Sequence, residues 1–284
     1  MCLKVQGLIS TIKVCKKKSL ATVGAGKDAI EASRTYFFKK NELRLSIINI
    51  AENEFGTTVD TRPGAHALHP TRNYYTIKRA SEKADYVIVI IHGGHENYPL
   101  PSPTMKERYR YFIDIGASLV LGHHPHCYSG FEVYKGKHIY YSLGNFIFDK
   151  EYDDASAWNT GFMLYLTIDA NGIESNVIPY LQNGITAGLR ELSSNEAERF
   201  QHKFNTLSEI IADEKELENR FSQYCLKVKN QYQAYLEPHS YKYIHALQNR
   251  GMLPSCLSKR KKTLLLNLTR CESHRDVIIK LLNS

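Results

Sequence analysis

Several things are scarce in this chain, and each shortage narrows what it can be. Its 284 residues include one tryptophan and four methionines. The six cysteines, Cys2, Cys15, Cys127, Cys225, Cys256 and Cys271, form no Cys-x-x-Cys pair. Scattered thiols in a chain this long argue against a disulfide framework and for a reducing compartment. No apolar stretch reaches the length of a membrane helix. The start, Met1 to Ile9, is too short and too polar for the apolar part of a signal peptide. As written, the chain reads as cytoplasmic. No internal repeat or low-complexity segment occurs.

Acidic side chains are also in deficit. Lysine and arginine number 37 against 29 aspartates and glutamates, a net charge of +8. That excess fits an anionic partner such as nucleic acid, a phosphate ester, a polyanion or a membrane surface, or else a merely basic surface. The 43% hydrophobic and 23% charged fractions are those of an ordinary globular protein. The length allows one large domain or a domain with an appendage.

The apolar patterning alternates between two periods. Helical spacing runs over 8–18, 73–83 and 104–115, the last closed by Gly116. Ala21 to Val23, Leu43 to Ile50, Tyr86 to Ile91 and Leu119 to Leu121 read as strands. A strand–helix–strand rhythm predicts parallel pairs with crossover helices. After it come two hairpins, 131–143 around Lys135-Gly136-Lys137 and 161–180 around Asn171-Gly172. The fold class is therefore α/β (α+β), a mixed sheet with antiparallel edges. From about residue 190 the chain turns helical and charged. Helices are expected over 196–212 and 214–236, after Tyr241, and from Ser273. Lys259-Arg260-Lys261-Lys262 forms a basic run between the last two. The division expected is a core domain over 1–190 and a basic helical extension over 191–284.

The chemistry concentrates where two strands end. Tyr86 to Ile91 runs into His92-Gly93-Gly94-His95-Glu96. Leu119 to Leu121 runs into Gly122-His123-His124-Pro125-His126. Open α/β folds place their sites at such carboxyl ends. His124 and His126, two apart in an extended loop stiffened by Pro125, can reach one ion or two adjacent ions, and His92 can converge on them. His123 should point the other way. Glu96 is the candidate for orienting a histidine or acting as general base. Asn145, after the tight turn at Gly144, is the candidate for orienting substrate or water. Glu52 with Glu54, and Asp149, are possible cation or amine ligands at strand ends. Cys127 reads as a soft ligand or a small buried residue. Gly24-Ala25-Gly26 carries a faint phosphate-loop pattern. His66, His69, His95 and His138 read as ordinary polar residues.

In order, Val23-Gly24-Ala25-Gly26, His92 to Glu96, Asp114 to Ala117, Gly122 to His126, Glu132 to Lys137 and Tyr141 to Asp149 resemble the CapA family. That family belongs to bacterial capsule and poly-γ-glutamate biosynthesis and has a calcineurin-like metallophosphatase fold. The resemblance covers about residues 8–180 and implies a layered β-sheet core flanked by helices. It also implies a metal-dependent, phosphoesterase-like hydrolase in which two divalent ions of the manganese, iron or zinc class hold a bridging water. His92, His124 and His126 match the family's late metal ligands. The implied partners are a polyanionic polymer or phosphate-ester substrate and a polymer-synthase membrane complex, with no nucleic acid. The family's core begins earlier, with an acidic ligand, an Asn-Leu-Glu segment and an Asn-His pair, none of them present here. The resemblance therefore implies a chain incomplete at its N-terminus, with a membrane anchor lost. The alternative is a non-catalytic interaction protein that keeps the fold and binds a polyanion or a synthase complex.

Overall fold

The computed structural model describes residues 4–53, 56–148, 157–182, 188–236 and 241–270. Two compact units are present, Met1–Phe221 and Ser222–Ser284. The first begins with helix α1 (Lys4–Lys17), then β1 (Ala25–Gly26), α2 (Ala29–Ala32), β2 (Tyr36–Lys40) and β3 (Leu43–Ala51). Next come β4 (Thr57–Thr58), β5 (Gly64–His66), α3 (Pro70–Ser81), β6 (Tyr86–His92), α4 (Pro103–Asp114) and β7 (Leu119–His123). Strands β8 (Phe131–Tyr134), β9 (Lys137–Tyr140), β10 (Thr160–Ile168), β11 (Ile173–Gln182) and β12 (Leu189–Glu191) follow. The helices after them are α5 (Ser194–Ala212), α6 (Glu214–Leu236), α7 (Lys242–Asn249) and α8 (Lys259–Arg270).

The main sheet has six strands in the order β2-β3-β6-β7-β9-β8. Pairs β3–β6 and β6–β7 are parallel, as crossovers through α3 and α4 require, and β7–β9 is parallel too, with β8 between them in sequence. The outer pairs β2–β3 and β8–β9 are antiparallel. The central strands are nearly all apolar because both faces are covered. Val87, Val89 and Ile91 of β6 and Leu119 and Val120 of β7 are buried. On α3, Ile77 and Ala80 are buried, and on α4, Met105, Tyr109, Phe112 and Ile113. Each of the larger aliphatic side chains among them contributes about 1.5–3 kcal/mol on burial. A second sheet, β10-β11-β12, meets the first where Ser175 Oγ lies 2.8 Å from Tyr140 Oη and 2.7 Å from His138 Nδ1. This mixed α/β architecture is consistent with the calcineurin-like fold that the resemblance implied.

The first unit runs past the change in composition near residue 190, so α5 belongs to it rather than to a separate extension. Phe200, Phe204, Leu207 and Ile211 of α5 are buried. Phe204 stacks on Phe131 at 5.4 Å and meets Phe162 edge-on at the same distance. Ser193 and Glu196 form a capping box that starts the helix. In the second unit, α8 begins on the basic run Lys259 to Lys262, to which no element had been assigned. The helix expected from Ser273 lies outside the described residues. No described helix is long and apolar enough to cross a membrane.

Other differences from expectation are local. Ala21 to Val23 is not a strand. The extended piece is Ala25–Gly26, paired with β5. The glycines there permit close packing. A Cβ on Gly24 (φ 84°) would lie 2.7 Å from Asn49 Cβ, and one on Gly26 2.4 Å from the Ala32 nitrogen. Helix α2, with its N-cap Asp28, is a single turn.

Candidate metal centre

Strands β6 and β7 run side by side and parallel, with His92 opposite His123 at their ends. Gly122 lets β7 approach the chain at Tyr141, since a Cβ there would lie 2.1 Å from the Tyr141 carbonyl oxygen. The loops beyond the two strands are tied together. Gly93 N donates to His123 O at 2.8 Å, and Asn97 N donates to Pro125 O at 2.8 Å. Gly94, at φ 119°, turns the first loop, and its N–H donates to Glu52 Oε2 at 3.1 Å. Glu52 also pairs with Arg108 at 3.6 Å. Its carboxylate thus holds the turn in place. Glu54 and Asp149 lie outside the described residues.

The second loop is not extended, as its spacing had suggested. His124 has φ 111° and His126 φ 59°. Such backbone costs about 1–3 kcal/mol per residue and persists where surroundings fix it, commonly at functional sites. Here Pro125 and the inter-loop hydrogen bonds fix it. The result brings Glu96, His124 and His126 together, with one possible ligand atom from each within 4.8 Å of the others. Among the described residues this is the one such group.

His126 carries the clearest sign of preparation. The Asn145 amide nitrogen donates to two carbonyls, His126 O at 3.2 Å and Trp158 O at 3.1 Å. Its Oδ1 must therefore be the atom 2.8 Å from His126 Nδ1, so Nδ1 carries the proton. That leaves the Nε2 lone pair of His126 available to a metal, the arrangement by which outer hydrogen bonds orient ligating imidazoles. The ring also stacks on Trp158 at 4.7 Å and 24°. Asn145 is buried, and its amide hydrogen bonds orient the His126 ring.

His92 lies beside this group rather than in it. Its Nε2 is 3.1 Å from His124 Nδ1, and the rings sit 4.8 Å apart. Two nitrogens sharing a tetrahedral ion at metal–nitrogen bonds of about 2.0–2.1 Å lie about 3.3 Å apart. The observed separation therefore suits either a hydrogen bond or one edge of a coordination shell. Glu96, expected to act behind the histidines, supplies the carboxylate that joins His124 and His126. Two imidazoles and one carboxylate, with the His92 imidazole beside them, are donors of the kind that suit a borderline divalent ion.

The remaining candidates have structural places. Burial, and secondarily the neighbouring His92, lowers the His123 pKa. Burial also lowers that of His95, which packs against Tyr98 and Phe221. His66 Nδ1 donates to Asn49 O at 3.1 Å, and His69 caps α3. Cys127 is buried, its thiol pushed up to about 11 by desolvation, and it is not in the ligand group. Trp158 was not anticipated. Its one signal in the sequence is that it is the sole tryptophan.

Comparison with known proteins gives the chain its relatives. A family model described as bacterial capsule synthesis protein PGA_cap matches residues 3–150, more than half of the 284-residue chain. The capsule biosynthesis protein CapA of Bacillus anthracis is 32% identical over 151 residues, 51% of this chain and 37% of that protein. The PGA biosynthesis protein CapA of Bacillus subtilis is 33% identical over 150 residues, 51% of this chain and 39% of that protein. The chain therefore spans well under half the length of these curated relatives. A hypothetical protein from Thermus thermophilus superposes with TM-score 0.34 at 14% identity, over 56% of this chain and 62% of that one. The family match includes His92, Glu96, His124, His126 and Asn145, and the chain belongs to the bacterial capsule synthesis protein family PGA_cap.

Proposed function

We propose that this chain acts in the production of a polyanionic capsule or poly-γ-glutamate polymer, as the part of a CapA-type protein that carries a divalent-metal site. The observation that supports this most is the meeting of Glu96, His124 and His126 within 4.8 Å, with Asn145 fixing the His126 tautomer. His124 and His126 would hold the ion through imidazole nitrogens and Glu96 through a carboxylate oxygen, with His92 beside His124. When bound, an ion of the manganese, iron or zinc class supplies Lewis acidity and lowers the pKa of a coordinated water. The strained backbone at His124 and His126 keeps the two imidazoles convergent. Arg108 and Glu52 hold the neighbouring turn that carries Glu96. The substrate class is an anionic ester or the polymer itself, and the partner is the polymer-synthase complex.

The test is hydrolysis of an aryl phosphate ester by the full chain supplied with manganese or zinc. Turnover that falls to background with a chelator and in His126→Ala supports the hydrolase. No turnover above the metal-free control contradicts it. One observation favours a second reading, a non-catalytic polymer-binding protein: the ligand group contains a single carboxylate, too few for a two-ion site. Chelator-insensitive binding of poly-γ-glutamate fragments without turnover is its signature.

A further inference from the structure

Beside His126 the surface opens into a cavity of about 270 Å³. Asn97 and Pro99 line it from the loop after β6, His126 and Cys127 from the loop after β7, Trp158 from the approach to β10, and Lys203 from α5. Trp158 and Lys203 lie beyond the segment matched by the family model. The cavity therefore joins the shared site to a part of the chain outside that match.

Among the described residues that line it, Lys203 brings a positive charge and none is a carboxylate. The Lys203 ammonium is steered by an aromatic ring, with Nζ 5.0 Å from the centroid of Tyr128. Tyr128 in turn packs on Phe200 of the same helix at 4.8 Å. The Trp158 ring, stacked on His126, gives the cavity a flat apolar wall. The volume suits one small acidic group or a single polymer unit rather than a large ligand.

We propose that this cavity is an anion subsite, in which Lys203 recognises a carboxylate or phosphate of the ligand one unit away from the group held at His124 and His126. The proposal rests on the metal-centre reading for what lies next door. The anion site itself rests on the cavity, its aromatic wall and Lys203.

Because Trp158 is the sole tryptophan, intrinsic fluorescence reports on this cavity. The full chain, treated with chelator, is titrated with inorganic phosphate and separately with γ-glutamyl-glutamate. A saturable change in emission is expected with at least one of them, and the stronger binder identifies the anion. Lys203→Gln should raise Kd about tenfold or more, as loss of a charge-assisted hydrogen bond does. Lys203→Arg should restore binding, and Lys39→Gln, on the distant edge strand, should bind as wild type does. No saturable change with either anion, or an unchanged Kd in Lys203→Gln, overturns the proposal. A parallel zinc titration separates the two ideas. Lys203-dependent anion binding without zinc binding sinks the metal centre and keeps the subsite. Zinc binding with Lys203→Gln indistinguishable from wild type does the reverse.

Discussion

The parallel strands of the main sheet end very differently at their two edges. At the N-terminal edge, charges close on each other. Asp85 accepts from the Arg44 backbone N–H at 2.8 Å and from its guanidinium at 2.7 Å. Asp114 pairs with Lys135 at 2.5 Å, and Lys137 donates to Ala117 O at 3.1 Å. These hydrogen bonds hold both the Asp85 and Asp114 carboxyls below the usual carboxylate range. At the C-terminal edge the arrangement is the opposite. His124 and His126 sit on strained backbone, an exposed carboxylate reaches toward them, and His126 Nε2 is kept available. One edge uses its polar groups for closure, while the other gathers possible ligand atoms around one point. Function in open α/β sheets lies at the second kind of edge.

The largest expected effect tests the scaffold between the two edges. Glu132 is buried on β8 and accepts from Arg110 at 2.7 and 3.1 Å and from Tyr141 Oη. Glu132→Ala leaves half-buried Arg110 with the longer contact to exposed Glu214 at 3.3 Å, removes the acceptor of the Tyr141 hydroxyl, and should cost about 3 kcal/mol in urea unfolding. An unchanged midpoint would mean that this network does not hold the sheet. Asn145→Leu should weaken zinc binding by about 10–100-fold, the usual cost of losing an orienting partner. Competition with a chromophoric chelator measures it. Equal affinity would remove the distinction between the edges at its strongest point.

Acid should weaken the fold in a defined direction. His66 Nδ1 donates to Asn49 O and Nε2 accepts from Asn73 Nδ2 at 3.0 Å, so a second proton would set two donors face to face. Burial lowers its pKa below 6.5. Above that value the imidazole is neutral in both states and adds no slope. As pH falls through it, the unfolded chain takes up a proton that the folded chain resists, and stability declines. Thermal melts between pH 8 and 5 should show the decline, with a shallower slope in His66→Gln. The smallest effect is expected from Arg44→Ala, an exposed surface pair. It should leave both the melt and the zinc affinity close to wild type, and a large loss of zinc binding would show that the two edges are coupled.

Much of this was legible in the sequence because it is local. The apolar runs of β6 and β7, the Asn171-Gly172 hairpin and helices α3 to α6 follow from period and turn chemistry. The histidines and Glu96 stood out because they follow buried strands. Strand β2 was missed because Tyr36 and Phe37 are exposed on an outer strand, so its pattern carries no buried face. Strands β1, β4 and β5 are two or three residues long and exist only through pairing. The positive φ of His124 and His126 depends on contacts with the Gly93–Asn97 loop, which no local pattern records. The partners of the Asn145 amide were not legible because its burial and its three hydrogen bonds form only when the segment before β10 packs behind it. The same long-range packing brings Trp158 and Lys203 to His126.

The most direct test of the central claim is zinc stoichiometry, measured by titration of the full chain against a competing chelator. The account predicts about one ion per chain, lost when His124 and His126 are both replaced by alanine. Less than about half an equivalent in the wild type, or binding undiminished in the double variant, would contradict it.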